Sequence, residues 1–273
     1  MKSYLALFLL MILVGCDTSV KQTESFKTDK NPVKYIEIQL AVEPSDSTKS
    51  NTPEDTKKAF EIIKARFYAC KIYDAHVSLY TNNQISIKLP PVMDINQLER
   101  IKKIALATGK LEFKLEANQQ IVRDYTEKFP KAPPGYVWYE TEDTKNSSER
   151  GTRVLVHEKA ELTGESLVSA GTRLVQMEGI VIEFKLNPYG TKIFADVTNK
   201  YARSVVGYEE IRRLAIIFDN KLIMAPVINT PITGGEGVIT GHFTEQEAKD
   251  IVVIMLNGQM SSPLKIISET IPK

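Results

Sequence analysis

The chain is poor in the residues that build covalent cross-links and metal sites. Among 273 residues there are only two cysteines and three histidines, and the formal net charge is +1. A charge so close to zero gives no electrostatic reason to expect binding to nucleic acid or to a strongly anionic surface. His76, His157 and His242 are scattered, without the spacing of a zinc ligand set. We therefore predict no metal site and no nucleic-acid partner.

Catalytic motifs are also lacking. The glycine-rich stretch TGGEGVITG has no Lys-Ser/Thr pair and leads into strand-like residues, which removes the helix amino terminus that a phosphate cradle needs. The stretch TGESLVSAG lacks the second glycine of a serine-nucleophile elbow. Most acidic residues fall at helix starts or on polar faces. We predict no catalytic residues and no cofactor, and we do not expect an enzyme.

The amino terminus contains a short apolar run that is typical of an export signal. Lys2 is followed by YLALFLLMILV and then Gly15-Cys16. Eleven apolar residues are too few to span a bilayer, which needs about 20. A basic start, an apolar centre and small residues at the end indicate a secretory signal peptide over residues 1–15. Because LVGC also resembles the bacterial lipobox, we predict that Cys16 is lipidated; a plain signal peptide with an incidental cysteine is the alternative.

The following residues predict where the protein resides. Residues 16–33 are polar, as in a flexible tether, and no later segment approaches transmembrane length, so we expect the remainder to be soluble. We predict a lipid-anchored protein of the bacterial cell envelope, outside the cytoplasm. Asp17 resembles an inner-membrane retention signal, which favours the periplasmic face of the inner membrane. With Cys16 acylated, Cys70 has no disulfide partner, and its helical spacing from Phe67 indicates a buried thiol.

The region from residue 34 to residue 118 predicts a first α+β domain. Alternation, capping residues and turn dipeptides give the order strand, helix, strand, strand, helix, strand, which is that of a ferredoxin-like split βαβ unit. We predict that Ile95, Leu98, Ile101 and Ala105 of the second helix face inward. The predicted elements are a strand at 35–42, a helix from Thr52 to about Cys70, a hairpin around Asn82-Asn83, a helix from Asp94 to Gly109 and a strand at 110–117.

A second α+β domain is predicted for residues 154–268, after a proline-rich and charged linker at 119–153 that contains one short strand, YVWYE. Residues 269–273 form a tail. The second domain has strands in RVLVHE and GIVIEFKL, a short helix opened by Thr163, and a hairpin around Asp219-Asn220. Two further helices are predicted, one from Asn187-Pro188 through Gly207 with Phe194, Val197 and Tyr201 inward, and one opened by the capping box Thr244–Glu247.

Several motifs near the carboxy terminus of the second domain occur together in one family pattern. They are Asp219-Asn220-Lys221, Ala225-Pro226-Val227-Ile228, Pro231-Ile232-Thr233-Gly234-Gly235, Ile239-Thr240-Gly241-His242-Phe243, Glu247-Ala248 and Pro263-Leu264. These motifs resemble the end of the first periplasmic domain of the SecD family, whose members assist Sec-dependent protein export. In the first domain, IIKARF, ISIKLPPVMD and ATGKLEFKL resemble the base of the same periplasmic domain, so the similarity extends over residues 35–268.

The resemblance implies a ferredoxin-like base and a mobile head that holds an emerging preprotein outside the membrane. Asp219, Pro226, Gly234, Gly235 and Gly241 are then structural motif residues of the head. Asn220 replaces the usual turn glycine, which is a mild change because asparagine tolerates the same backbone conformation. The family's transmembrane helices, which carry its proton coupling, are replaced here by the lipid anchor, so we expect no proton-driven pulling.

Two functions follow as hypotheses. In the first, the protein binds unfolded secretory polypeptides beside the Sec translocon or related membrane subunits, using Leu222, Ile223 and Met224 as an apolar surface. By strand alternation, Ile223 should face away from its two neighbours, so only one face is available. In the second, the protein is an adaptor or structural lipoprotein that docks one folded envelope partner.

Overall fold

The computed structural model describes residues 35–43, 52–80, 83–140, 153–207 and 210–272. The predictions for the signal peptide, Cys16 and Asp17 lie outside the described residues, as does Asn82. Lys34–Lys273 group as one compact unit. Because this unit contains its own apolar cores, we expect it to fold without the preceding residues.

Five helices and thirteen strands build this unit within the described residues. The helices are α1 (Pro53–Ala69), α2 (Ile95–Leu106), α3 (Gln119–Thr126), α4 (Pro188–Tyr201) and α5 (Glu245–Leu256), with a short 3₁₀ turn at Gly164–Ser166. The strands are β1 (Ile36–Val42), β2 (His76–Tyr80), β3 (Gln84–Leu89), β4 (Leu111–Leu115), β5 (Tyr136–Glu140), β6 (Arg153–His157), β7 (Leu162–Thr163), β8 (Leu167–Val175), β9 (Gly179–Leu186), β10 (Leu214–Phe218), β11 (Lys221–Met224), β12 (Glu236–Phe243) and β13 (Leu264–Thr270).

The helix starts follow from local side-chain chemistry. The Thr52 hydroxyl accepts a hydrogen bond from the Asp55 amide, and the Asp55 carboxylate accepts one from the Thr52 amide. Thr244 and Glu247 form the same reciprocal capping box at α5, as predicted. Each box satisfies amide groups that the first turn of a helix leaves without partners.

The base sheet has the strand order β13-β1-β3-β2, with every neighbouring pair antiparallel. Residues of β1 alternate between buried and half-buried, which is the pattern of a sheet with one covered face. The buried faces of α1 and α2 share a core with this sheet that includes Ile38, Ile63, Ile87 and Ile101. The predicted mixed α+β class is confirmed.

One predicted strand lies in a different sheet. Residues 110–117 were expected to complete the base sheet, but β4 pairs with β10 and β7, and the edge of the base sheet is formed by β13. All five residues of β4 are buried, including Glu112 and Lys114. The alternating pattern predicted a strand correctly, but it contains no information about which partner the strand pairs with. A ferredoxin-like base therefore requires β13 as its fourth strand.

The remaining strands form the head. Its main sheet has the order β11-β10-β4-β7, and a second sheet has the order β12-β9-β8. The head core lies between these sheets, α4 and α5, and includes Phe113, Phe184 and Phe194. On the other face of the main sheet, the predicted strand YVWYE is β5, which pairs with β6 and packs against a smaller core that contains Leu222.

Other differences from the sequence predictions are local. Ile95 is 61% exposed rather than inward, because it occupies the first position of α2, beyond the end of the core. Only a 3₁₀ turn follows Thr163, and the next residues form β8. The helix that begins at Pro188 ends at Tyr201, before the predicted end at Gly207. The predicted linker contains an unforeseen helix, α3.

Two connections join the base to the head, at residues 107–110 and 257–263, and we call them, with Arg66, the joint. Arg66 of α1 is fully buried, and its guanidinium donates to the carbonyl oxygens of Ile104, Ala107, Thr108 and Gly258. These acceptors belong to the end of α2 and to both connections. Burial lowers the pKa of Arg66 to about 10, a value that still leaves it charged at neutral pH.

A second contact across the joint is an ion pair between α2 and α5. The Arg100 guanidinium donates two hydrogen bonds of 2.7 Å to the two carboxylate oxygens of Asp250. This bidentate geometry raises the pKa of Arg100 and fixes the two helices in one register. The joint is therefore held by side chains from both parts of the fold.

Candidate functional site

The apolar residues predicted to bind polypeptide do not form an exposed surface. Leu222 is only 5% exposed and packs in the smaller core with Ile217. Ile223 and Met224 are half-buried against the head core, on the other face of the sheet. A bulge between Ile216 and Ile217 breaks the alternation, so that Ile223 and Met224 face the same side. The Met224 sulfur also accepts a hydrogen bond from the Thr240 amide at 3.3 Å.

The motif residue Asp219 links the β10–β11 turn to the joint. Asp219 and Asn220 both have positive φ angles, 48° and 64°, as a tight hairpin turn requires. The Asp219 carboxylate accepts hydrogen bonds from the Thr108 hydroxyl at 2.5 Å and from the Lys110 amide at 2.8 Å. These two hydrogen bonds give the half-buried Asp219 a structural role.

The remaining motif residues shape the segment that leads into β12. Pro226 is exposed, and its carbonyl oxygen accepts a hydrogen bond from the Leu214 amide at 3.0 Å. Gly235 has a φ of 67° and lies against the Thr191 side chain, so this position excludes a side chain. A Cβ atom on Gly241 would lie 2.7 Å from the Phe243 ring, whereas Gly234 faces open space.

The head contains an open cleft of about 770 Å³ beside β7 and the start of α4. It is lined by Leu162, Thr163, Tyr189 and Ile193, among other residues. Since β7 pairs only with β4, it is the edge of the main sheet and presents backbone groups toward the cleft. Tyr189 is 71% exposed and provides an aromatic wall at the rim.

The polar groups of the cleft carry both signs of charge. Lys159, Glu161, Glu165 and His157 line it together with the apolar residues. Asn187 holds the start of α4 in place, since its side chain accepts a hydrogen bond from the Gly190 amide at 2.8 Å. A wall of mixed chemistry beside a strand edge suits an extended peptide better than a single small anion or cation.

The described residues lack two kinds of feature. No group of three or more His, Cys, Asp or Glu side chains there is placed to hold a metal ion. In the same part of the chain, no helix combines the length and the apolar character needed to cross a membrane. Cys70 is half-buried against the base core, and burial, with the nearby Asp250 carboxylate, raises the pKa of its thiol to about 11.

Sequence reasoning missed both the cleft and the Arg66 contacts. The cleft arises where an edge strand, a 3₁₀ turn and a helix start meet, and these come from residues that are distant in sequence. The Arg66 contacts could have been inferred from the sequence, because Arg66 lies three residues after Ile63 on the apolar face of α1. A charged residue on such a face indicates a buried polar contact.

Comparison with known proteins identifies similar sequences. Residues 139–261 match the family described as SecDF, P1 head subdomain. The SecD protein translocase subunit of Acetobacter pasteurianus is 30% identical over 226 residues, which are 82% of this chain and 39% of that subunit. The SecD subunit of Rickettsia bellii is 29% identical over 260 residues, or 92% of this chain and 47% of the relative. The chain thus spans less than half the length of these relatives.

Solved structures show the same fold. SecDF in its super-membrane-facing form aligns with a TM-score of 0.61 and 23% identity, covering 86% of this chain and 30% of the other. A structure of SecDF described as a membrane component that enhances protein export aligns with a TM-score of 0.58 and 22% identity. That match covers 85% of this chain and 98% of the other. At these identities the comparison supports the arrangement of helices and strands.

Proposed function

Because this chain carries a first periplasmic domain of the SecD family, we propose that it assists Sec-dependent protein export by holding unfolded exported polypeptide outside the cytoplasm. The observation that carries the proposal is the open cleft of about 770 Å³ beside the edge strand β7. An extended segment would pair its main chain with that edge and rest side chains on Tyr189 and Ile193. Main-chain pairing is independent of sequence, which suits a protein with many clients.

The mixed composition of the cleft also fits varied clients. One lysine, one histidine and two glutamates stand around the apolar centre, so that neither basic nor acidic segments are excluded. This site replaces Leu222, Ile223 and Met224 as our candidate, since those side chains already pack within the molecule.

We further propose that the protein is attached to the membrane through a lipid on Cys16, and that it works beside the Sec translocon or a related membrane subunit. The lipobox-like LVGC and the polar residues after it support the anchor. The similarity to SecD subunits of the protein translocase supports this choice of partner. Proton coupling is not part of this proposal.

A titration with a matched pair of clients tests the holding function. Residues 34–273 are mixed with a fluorescently labelled secretory preprotein, either kept unfolded or folded, and binding is followed by anisotropy. We expect selective binding of the unfolded form. Tyr189→Ser should weaken it by about tenfold, since burial of a large apolar side chain contributes roughly 1.5–3 kcal/mol. Tyr68→Ser, at an equally exposed tyrosine of α1, serves as the control.

The outcomes separate the two functional hypotheses. If Tyr189→Ser and Tyr68→Ser weaken binding of the unfolded preprotein equally, the cleft is not the polypeptide-binding site. Failure to bind either client form would contradict the holding function and would favour the alternative of an adaptor for one folded envelope partner.

A further inference from the structure

The head contains a second, smaller recess of different chemistry. A cavity of about 280 Å³ lies between β4, β9, α4 and the segment 226–232. Its inner wall consists of the rings of Phe113, Phe184 and Phe194, and Ile216 and Ile228 extend the apolar lining. The lining is mostly apolar although the mouth opens to solvent, which is the character of a site for an apolar group.

The aromatic wall is rigid. The three ring centroids are 5.4, 6.1 and 6.2 Å apart, with tilted or edge-to-face geometry, and each phenylalanine is at most 4% exposed. Gly237 of β12 lies so close to the Phe184 ring that a Cβ atom there would overlap it. Because each ring is fixed by neighbours from a different element, the side chains cannot collapse into the space at little cost.

Hydrogen bonds to backbone groups fix the opposite wall of the cavity. The Thr198 hydroxyl is fully buried; it donates to the Phe194 carbonyl at 2.7 Å and accepts from the Ile232 amide at 2.9 Å. The Ile228 carbonyl accepts from the Arg203 amide, and its amide donates to the Arg212 carbonyl, at 2.8 and 3.0 Å. The walls of the recess are therefore held in place by contacts within the protein.

The mouth of the cavity meets the edge of β12 at Val238, two residues before Thr240, whose amide donates to the Met224 sulfur. Asn229 and Thr230 at the rim are exposed and uncharged, and Val238 of β12 also borders the space. β12 is at the edge of its sheet, and the Leu186 amide donates to the Gly235 carbonyl at 2.8 Å. Alternation along the antiparallel pair then directs the backbone N–H and C=O of Val238 away from β9, toward the edge.

We propose that this cavity is a side-chain subsite for the exported polypeptide. An extended segment pairs with the edge of β12 at Val238 and inserts one bulky apolar side chain, such as leucine or phenylalanine, against the three phenylalanine rings. The volume fits this occupant, since a cavity of about 150 Å³ already holds benzene. The inference rests on the proposed function and deepens it: the protein selects segments that contain a large apolar residue.

Three peptides that differ at one position test the subsite. Labelled serine-rich peptides with a central phenylalanine, leucine or serine are titrated against residues 34–273. We expect the phenylalanine and leucine peptides to bind about tenfold more tightly than the serine peptide. Thr230→Trp, which places a large ring at the mouth, should reduce this preference to less than about threefold. Thr233→Trp is the matched control, because it lies on the same exposed segment and does not line the cavity.

A photocross-linking experiment gives a second readout that does not depend on the folding of a variant. The peptide carries benzoylphenylalanine at its central position, and the cross-linked residues of the unchanged protein are identified. Cross-links to residues 226–232 or to β12 support the subsite, and cross-links confined to the base or to the cleft beside β7 overturn it.

The remaining outcomes distinguish this inference from the proposed function. Equal affinity of all three peptides, or equal weakening by the two tryptophan variants, overturns the subsite but leaves polypeptide holding in place. If neither these peptides nor the unfolded preprotein binds, the proposed function fails and the subsite fails with it.

Discussion

At the joint, the buried Arg66 guanidinium reaches carbonyl oxygens from both connections, whereas in the head three buried phenylalanine rings form the inner wall of a recess. Both regions are preorganised, but at the joint the terminal nitrogens of one buried guanidinium donate to four carbonyl oxygens, while its Nε atom has no partner in the described part of the chain. Where two parts of a fold must keep one arrangement, the chain supplies the hydrogen-bond partners itself. In the head, rigid walls surround the recess that we propose as a subsite for polypeptide.

The largest expected effect comes from breaking the joint. Arg66→Met keeps an apolar stem but removes the donors to four carbonyl oxygens. Because each buried acceptor without a partner costs about 1–3 kcal/mol, we expect the free energy of unfolding to fall by roughly 3 kcal/mol or more. Urea denaturation measures it, with Lys64→Met, at an exposed position of α1, as the control. A loss no greater than that of the control would show that the Arg66 contacts do not stabilise the joint.

A smaller effect is expected from crowding the cavity wall. Gly237→Ala would force the Phe184 ring or β12 to move, and overpacking of this kind costs about 1–3 kcal/mol. Gly234→Ala, three residues earlier, adds a methyl group in open space and should change stability by less than about 0.5 kcal/mol. The stabilities of the two variants are compared by thermal unfolding. If the two changes have the same effect, the wall is not rigid.

The smallest expected effect on stability concerns Cys70, which lies beside the joint. Its thiol pKa is raised to about 11 from an ordinary value of 9.0, first by burial and then by Asp250. The folded state thus favours the neutral thiol, and this contribution is fully present below pH 9 and is lost as the pH rises through 11.

The rate of thiol alkylation at pH 8 measures the raised pKa of Cys70. Residues 34–273 contain Cys70 as their single cysteine. We expect the thiolate fraction, and hence the reaction rate, to be about 100-fold lower in the folded protein than in urea. Asp250→Asn should bring the alkylation rate of the folded protein closer to the rate in urea. Equal rates in the folded protein and in urea would show that the pKa of Cys70 is not raised.

Local features of the fold could be predicted from the sequence, because their causes lie within a few residues. Thr52, Asp94, Asn187 and Thr244 all cap helices as predicted, and Asp219-Asn220 forms the predicted turn. Strand pairing depends on residues far apart in the chain. The alternating pattern of β4 therefore identified a strand but not its sheet, and the short segment Leu264–Thr270 gave no sign that it closes the base sheet.

The candidate site was less predictable for the same reason. Leu222, Ile223 and Met224 are large and apolar, but whether such residues are exposed depends on the neighbouring strands. The bulge at Ile216–Ile217 also changed which face Ile223 and Met224 share. The cleft and the cavity are properties of the space between elements, and no single segment of the sequence encodes them.

Site-specific photocross-linking in the cleft tests the central claim most directly. Benzoylphenylalanine replaces Tyr189 in the cleft or, as a control, Tyr68 in the base, and each protein is exposed to a secretory polypeptide during its export. We predict cross-links from position 189 while the polypeptide is unfolded and in transit, and far fewer from position 68. Cross-links of equal yield from both positions, or none from position 189, would contradict the claim that the head cleft holds exported polypeptide.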